Sequence, residues 1–461
     1  MAINPYIFRE YDIRGLAEGE LTGEVASAVG RAFGTFIGGS GTVTVGRDVR
    51  LSSPRLNAGF SSGLAASGCD AVELGVVPTP LVYFSLFKLG SGASAVITGS
   101  HNPIQYNGFK LSKGELSLYG PEIQGIRKII ESSSYSSGKG SSSVSAIVPA
   151  YIEEISSRIR IARKLRVGID TGNGTVGPIA LKLFRGLGVE TIPLFCEPDG
   201  RFPNHLPDPT IPENVEELRK TVLNQGLDLG IAFDGDGDRI GAIDDKGRIV
   251  WGDQLVAIFA GEILKKTPGG TIIFDVKCSQ GLQEHIEALG GRPLMWKTGH
   301  SLIKRKLKEE KGLLAGEMSG HMFFADDYYG YDDAIFASVR LLALVSKAEK
   351  PLSGLVDELP QYVSTPEMRL ECPDELKFAL VDRLKESFKK NHAVIEIDGA
   401  RILFGDGWGL VRASNTQPAL VARFEAKSRE RLEEIKSEVL TEVLTEMTSL
   451  KSKMQHTSPD H

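Results

Sequence analysis

At 461 residues the chain exceeds what one hydrophobic core organises, and ordinary domain sizes divide it into roughly three or four units. With 41% hydrophobic and 24% charged residues and a formal net charge of −6, the makeup is that of a globular protein and argues against a nucleic-acid binder. The first fifteen residues carry Arg9, Glu10, Asp12 and Arg14 with no apolar core, unlike a signal peptide, and no apolar run reaches the roughly 18–20 residues that cross a bilayer.

Residues 1–145 alternate strand and helix patterns: a strand at 42–46, a helix at 53–67, a strand at 71–74, then the turn Val77-Pro-Thr-Pro80 into another helix. Such alternation predicts a mostly parallel sheet covered by helices. The apolar run 95–97 breaks at Gly99 and at Asn102-Pro103, which puts Ser100 on a sharp turn at a strand end, beside His101 and ten residues before Lys110. The serine- and glycine-rich stretch 132–145 reads as a linker.

A second α/β unit, 146–247, contains a strand at 165–170 followed by Gly172-x-Gly174-x-x-Gly177, with Glu197 beyond the next strand pattern. This matches a dinucleotide fingerprint, but such glycines serve a tight turn and close helix packing equally well. The strand 227–233 then runs into Asp234-Gly-Asp-Gly-Asp-Arg239. A third unit, 248–362, holds a strand at 271–275 and closes in Gly316-Glu-Met-Ser-Gly-His321. Three times a strand delivers a polar loop at its C-terminal end, where open α/β sheets bind ligands. From 363 to 461 the pattern becomes α+β. A helix carries Leu376, Leu380, Leu384 and Phe388, a hairpin turns at Asp398-Gly399, and a last helix carries Leu432, Ile435, Val439, Val443, Met447 and Leu450 on one face.

Asp234, Asp236 and Asp238 crowd three anions together, which is unfavourable without a cation, and an oxygen-preferring ion such as Mg²⁺ suits them. A calcium EF-hand needs glycine where Arg239 stands. Arg239 itself suggests a phosphate or carboxylate neighbour. Glu317, Ser319 and His321 suit sugar hydroxyls, which both donate and accept. Arg412 with Ser414, Asn415 and Thr416 forms a phosphate grip, the guanidinium forking onto oxygens. Lys277, Lys297 and His300 add polar groups beside turns of the third unit. A nucleophile, a cation site, a hydroxyl reader and a separate phosphate clamp fit phosphoryl transfer, which needs mainly positioning and charge neutralisation. A kinase would need a nucleotide loop, and none is present.

From Tyr11-Asp-Ile-Arg-Gly15 to Arg412-Ala-Ser-Asn-Thr416, with Thr98-Gly-Ser-His-Asn-Pro103 and the two later loops in order between them, the chain resembles the α-D-phosphohexomutase superfamily. Met318 and the Arg412 loop most resemble its bacterial phosphomannomutase/phosphoglucomutase branch; phosphoglucosamine mutases, the alternative, typically carry Gln at Met318. A non-catalytic sugar-phosphate-binding protein is the rival of a different class. The resemblance implies a heart-shaped, four-domain α/β enzyme, three similar α/β domains and a smaller α+β domain around a central cleft. It implies a cytoplasmic monomer that interconverts hexose 1- and 6-phosphates through a phosphoserine at Ser100. Mg²⁺ would be held by Asp234, Asp236, Asp238 and a phosphoserine oxygen, and hexose 1,6-bisphosphate would be intermediate and activator. Ser100, Lys110, His300 and Arg239 would be catalytic, Lys110 and His300 moving protons. Glu317 and Ser319 would read sugar hydroxyls, while Arg412, Ser414, Asn415 and Thr416 hold the distal phosphate. Tyr11, Arg14, His101, Lys277 and His321 would line the site. An intermediate that must turn over cannot be held rigidly, so a hinge is expected at 363–370.

Overall fold

Four sheets follow one another along the chain, and the first three share one device. The computed structural model describes residues 3–414 and 418–456, with side chains through 452. The first sheet is seven-stranded, in the order Ile13–Leu16, Tyr106–Lys113, Ala93–Ile97, Thr42–Arg47, Asp70–Val76, Ser142–Val144, with Leu116–Ser117 paired to Tyr106–Lys113. The second is five-stranded: Ile249–Val250, Ile240–Asp244, Leu229–Phe233, Arg166–Asp170, Glu190–Leu194. The third is four-stranded: Arg292–Trp296, Thr271–Asp275, Leu314–Gly316, Met322–Phe324.

In each, a strand parallel to its inner neighbour ends in a polar loop, and the chain returns antiparallel beside it. The closing registers are Ile97 with Phe109, Phe233 with Ile240, and Gly316 with Met322. Ser100, the aspartate triplet and Glu317 therefore occupy the same topological position in three consecutive units. Strands Ala93–Ile97 and Leu229–Phe233 are buried along their whole length, so their ends are fixed points from which the loops project.

The first unit has its own core around Phe33, Phe60 and Phe109. A second core runs from helix Thr79–Lys88 of that unit through the second and third sheets. Helix Ala334–Lys347, started by Asp333 accepting the Phe336 N–H at 2.9 Å, belongs to it and is buried on nearly every side. The fourth sheet (Val363–Ser364, Ala419–Ala426, Gly407–Ala413, Ala400–Leu403, Ala393–Ile395, with Met368–Glu371 also on Ala419–Ala426) has a separate core. Leu432, Ile435, Val439 and Val443 of the last helix, Arg429–His456, pack into that core. A small patch, Val276 with Trp408 and Leu410, joins the third and fourth units.

Two readings of the sequence change here. The serine-rich stretch is no free tether: Gly138 and Gly140 donate to the carbonyls of Ala66 and Ala65 at 3.1 and 2.9 Å, and Ser142–Val144 pairs with Asp70–Val76. Small side chains there permit close backbone packing. The expected hinge segment is stitched into the fourth sheet, since Val363–Ser364 and Met368–Glu371 both pair with Ala419–Ala426. Residues 358–362 connect helix Leu352–Asp357 to that sheet, with Leu359 buried in the core shared by the first three units.

Candidate active site

Ser100 sits at the end of strand Ala93–Ile97 with φ of +48°, a left-handed conformation unusual for a residue with a side chain. Its N–H donates to Thr98 Oγ1 at 2.8 Å. Its Oγ donates to Asp234 Oδ2 at 2.9 Å and lies 3.1 Å from His101 Nδ1. Two residues 134 positions apart in sequence thus meet through one hydrogen bond. Burial, then the charges of Arg239, Arg14 and Lys110, push the His101 pKa well below the usual histidine range.

Asp234, Asp236 and Asp238 are fully buried. Asp234 Oδ1 turns inward and accepts the N–H groups of Gly237, Asp238 and Arg239 at 2.9, 3.1 and 3.2 Å, fixing the loop on itself. Asp236 Oδ2 accepts from Thr79 Oγ1 at 2.6 Å and from Lys110 Nζ at 2.7 Å, and Lys110 also bridges to Asp238. Burial opposes the charge on Lys110, yet Asp236 and Asp238 together outweigh it and raise its pKa well above the ordinary lysine value. Burial, and then the Asp238 and Asp236 charges, raise that of Asp234. Asp236 Oδ1 and Asp238 Oδ1 are buried without a hydrogen-bond donor, and the three carboxylates offer oxygens within 4.8 Å of one another. Buried acceptors lacking donors are costly. This donor set fits a small hard cation.

The middle glycine of the second unit's fingerprint is accounted for by this loop, while Gly172 packs on Pro207 and Gly177 on the Cys196 backbone. A Cβ on Gly174 would lie 2.7 Å from the Gly235 carbonyl, and Thr175 donates its N–H to that same oxygen at 3.1 Å. The glycine lets the two loops touch and props the aspartates from behind.

In the third unit Glu317 Oε1 accepts the Gly299 N–H at 2.6 Å, and Ser319 is half-buried beside it. Arg239 and His321 form a backbone bridge, and Ile240 donates to Gly320 O at 3.1 Å, zipping the second and third loops together. Arg239 Nε donates to His321 Nε2 at 3.0 Å, which makes that nitrogen the acceptor and turns the other toward Asp332, 3.3 Å away. His300 Nδ1 lies 3.4 Å from the same Asp332 oxygen, and the two imidazoles stack with centroids 5.5 Å apart. Lys304 Nζ completes the group, 2.8 Å from Asp332 Oδ1. Burial opposes the Asp332 charge, but Lys304 and the two histidines hold its pKa well below the carboxylate range.

The remaining expected residues divide. Tyr11 crosses from the first unit to donate to Thr298 O at 2.7 Å, edge-on to His300, and Arg14 pairs with Asp12. Lys277 pairs with Glu367 at 3.1 Å, a bond between the third unit and the fourth. The Lys277 charge, working against burial, draws the Glu367 pKa down to about 2. Arg412 Nε lies 3.0 Å from Asp398 Oδ2, which also accepts the Thr298 N–H at 3.1 Å. The Ser414 carbonyl accepts from Lys377 at 2.7 Å. Asn415 and Thr416 lie outside the described residues. Lys297 is exposed. Sequence reasoning missed Asp48, Arg50, Lys304 and Asp332: each acts through partners distant in sequence, and no local motif marks them.

Three α/β units that bring a buried serine, an acidic triplet and a carboxylate-histidine loop into contact, with an arginine loop on a fourth unit, define a phosphoryl-handling enzyme fold. Models of phosphoglucomutase/phosphomannomutase α/β/α domains I, II and III match residues 5–137, 149–247 and 251–363, and that of the C-terminal domain matches 367–442. The chain belongs to this family, within the α-D-phosphohexomutase superfamily. It is 45% identical over 434 residues to a phosphomannomutase/phosphoglucomutase of Pseudomonas aeruginosa, covering 94% of each chain. A probable phosphoglucosamine mutase of Methanothermobacter thermautotrophicus is 37% identical over 443 residues, covering 94% of this chain and 96% of that one. The crystal structure of a phosphoglucomutase/phosphomannomutase family protein from Burkholderia thailandensis superposes with a TM-score of 0.91 at 42% identity, covering 96% and 98% of the two chains.

Proposed function

We propose that this chain interconverts the 1- and 6-phosphates of mannose and glucose, with Ser100 lending and reclaiming the phosphoryl group. The observation that carries this reading is the 2.9 Å bond from Ser100 Oγ to Asp234, which sets the loop's hydroxyl on the edge of the acidic triplet. The starting form carries phosphate on Ser100. A free sugar hydroxyl attacks phosphorus, the new O–P bond forms as the Ser100 Oγ–P bond breaks, and the hydroxyl proton leaves to a base. The resulting hexose 1,6-bisphosphate turns over and returns its other phosphate to Ser100 by the reverse step. Asp234, Asp236 and Asp238, with a phosphoserine oxygen, would hold Mg²⁺, which would supply charge neutralisation for the transferred group.

Lys110 and His300 are the candidates for moving the proton: Lys110 reaches Asp236 and Asp238, and His300 has Nδ1 turned toward Asp332, whereas His321 Nε2 already accepts from Arg239. Glu317 and Ser319 read the sugar hydroxyls, and Arg412 with its loop holds the phosphate that is not reacting, with Tyr11, Arg14, Arg239 and Lys277 lining the cleft. The four cysteines are buried free thiols, consistent with a reducing cytoplasm, and the enzyme acts as a monomer.

The test is direct. Purified protein with Mg²⁺ and a trace of glucose 1,6-bisphosphate is expected to convert glucose 1-phosphate and mannose 1-phosphate to the 6-phosphates, and glucosamine 1-phosphate far more slowly. Ser100→Ala should lose about 10³-fold or more, as removal of a nucleophile does. Full activity in that variant, or no phosphate on Ser100 by mass spectrometry, defeats the reading.

A further inference from the structure

We infer that Arg50 is a positioning residue for the nucleophile, and that the second domain holds Arg50 in place through Gly200 and Phe202, so that Ser100 is aimed from two domains at once. This rests on the reading of Ser100 as the phosphoryl carrier. The Arg50 guanidinium is buried and spends its terminal nitrogens on four backbone carbonyls of a single loop. Nη1 donates to Pro103 O at 2.8 Å and Tyr106 O at 3.0 Å. Nη2 donates to Asn102 O at 2.6 Å and to the carbonyl of Ser100 itself at 2.8 Å. Its Nε lies 3.2 Å from Asp48 Oδ2. That carboxylate oxygen also accepts from Thr98 Oγ1 at 2.9 Å and the Gly99 N–H at 3.0 Å. Every residue from Thr98 to Pro103 except His101 is thus bonded directly to Arg50 or Asp48.

The loop needs such a brace. Ser100 has a positive φ, and a residue with a side chain persists there only where its surroundings over-determine the geometry. The carbonyls of residues 100, 102, 103 and 106 converge on one point, an arrangement that repels itself unless a planar multi-donor cation fills it. Arginine is the side chain that does so; lysine, a point charge with three donors, cannot span four acceptors in one plane.

The brace is itself held by the second domain. The Phe202 ring covers the guanidinium, 5.2 Å from its carbon, and Arg50 forms an isolated parallel bridge with Gly200. A Cβ on Gly200 would lie 2.1 Å from the Val49 carbonyl, so the two domains touch backbone to backbone there. The loop that bears Ser100 and the unit that bears Asp234 are therefore registered by a second contact, independent of the Ser100–Asp234 bond. No substrate group is assigned to Arg50; its effect is on where Oγ points.

The test compares Arg50→Lys and Gly200→Ala with the wild-type enzyme, measuring kcat and KM for glucose 1-phosphate, the single-turnover loss of phosphate from Ser100 by intact mass, and the melting temperature. In Arg50→Lys, kcat is expected to fall about 100-fold, the effect of a misplacement of about 1 Å, with KM within threefold and the single-turnover rate falling in parallel. Gly200→Ala should fall about tenfold in the same two quantities. A folded Arg50→Lys enzyme with kcat within threefold of wild type, or with KM rising while kcat holds, overturns the inference. If Arg50→Lys does not fold, Gly200→Ala decides, and unchanged single-turnover transfer, or failure of that variant to fold as well, leaves Arg50 as general architecture and overturns the assignment. An inactive wild-type enzyme would instead strike at the proposed function.

Discussion

The first three units and the fourth are joined by different kinds of contact. Units one to three interlock through apolar packing: helix Thr79–Lys88, the second sheet and helix Ala334–Lys347 share one core. The fourth meets them across the patch of Val276, Trp408 and Leu410 and a set of polar bonds. Arg401 donates to the carbonyls of Val276 and Cys278 at 2.6 and 2.9 Å, Arg423 donates to that of Lys277, and the Lys277–Glu367 pair and the Thr298 N–H to Asp398 complete the seam. Apolar burial is lost in proportion to area when a joint opens, whereas each bond to a charged group released to water forfeits about 1.5–3 kcal/mol net and regains hydration. On the proposed reading, the reacting atoms sit on the body held by apolar packing and the phosphate grip on the unit held largely by polar bonds.

This contrast can be broken on either side. Disabling the rigid side should cost most: Asp236→Asn, or chelation of divalent ions, is expected to lower kcat by about 10³-fold while phosphate-dependent binding survives, and added Mg²⁺ should restore only the chelated wild type. Steady-state rates with calorimetric sugar-phosphate binding separate the two effects. Disabling the mobile side should act on binding: Arg412→Ala is expected to raise KM about 10–100-fold, the worth of a charge-assisted fork, with phosphate on Ser100 still detectable. A fall in kcat alone would place Arg412 in the chemistry. The smallest effect is at the seam. Glu367→Gln removes one interdomain charge pair and should speed backbone hydrogen exchange in residues 358–371 several-fold, leaving helix Ala334–Lys347 unchanged. The pair's pH sign follows from the depressed Glu367 pKa. Its stabilisation is present above the unfolded value of about 4.5 and lost only as pH falls through about 2, so the wild-type seam is insensitive to pH from 5 upward.

The same division governs what the sequence reveals. The three loops of the rigid body were legible because each interrupts an apolar strand with turn formers and chemistry-bearing residues within about six positions. Asp332 and Lys304 were not, because a carboxylate between two imidazoles gains its meaning only when residues 300, 304 and 321 converge on it. Arg50 stands in Arg47-Asp-Val-Arg50, which reads as a solvated turn until the carbonyls of another loop close over it. The serine-rich stretch misled for a related reason: a composition poor in side chains marks flexible tethers and tight backbone packing alike. The hinge expectation at 363–370 falls on short edge strands of the fourth sheet, which leave little periodicity to read.

Trp408 gives the seam an optical consequence. Its indole is 1% exposed, packed on Val276 with the Arg401 guanidinium 3.8 Å above the ring and its N–H bonded to Glu425 at 2.8 Å. The chromophore sits where the fourth unit meets the body, while Trp251 and Trp296 are already half-exposed. Lifting that unit would strip Val276 from the ring and wet its edge, shifting its emission to the red, while Arg401, on the same sheet, stays over it. Trp408 would thus serve as an intrinsic fluorescent gauge of any movement of the fourth unit, readable without a label.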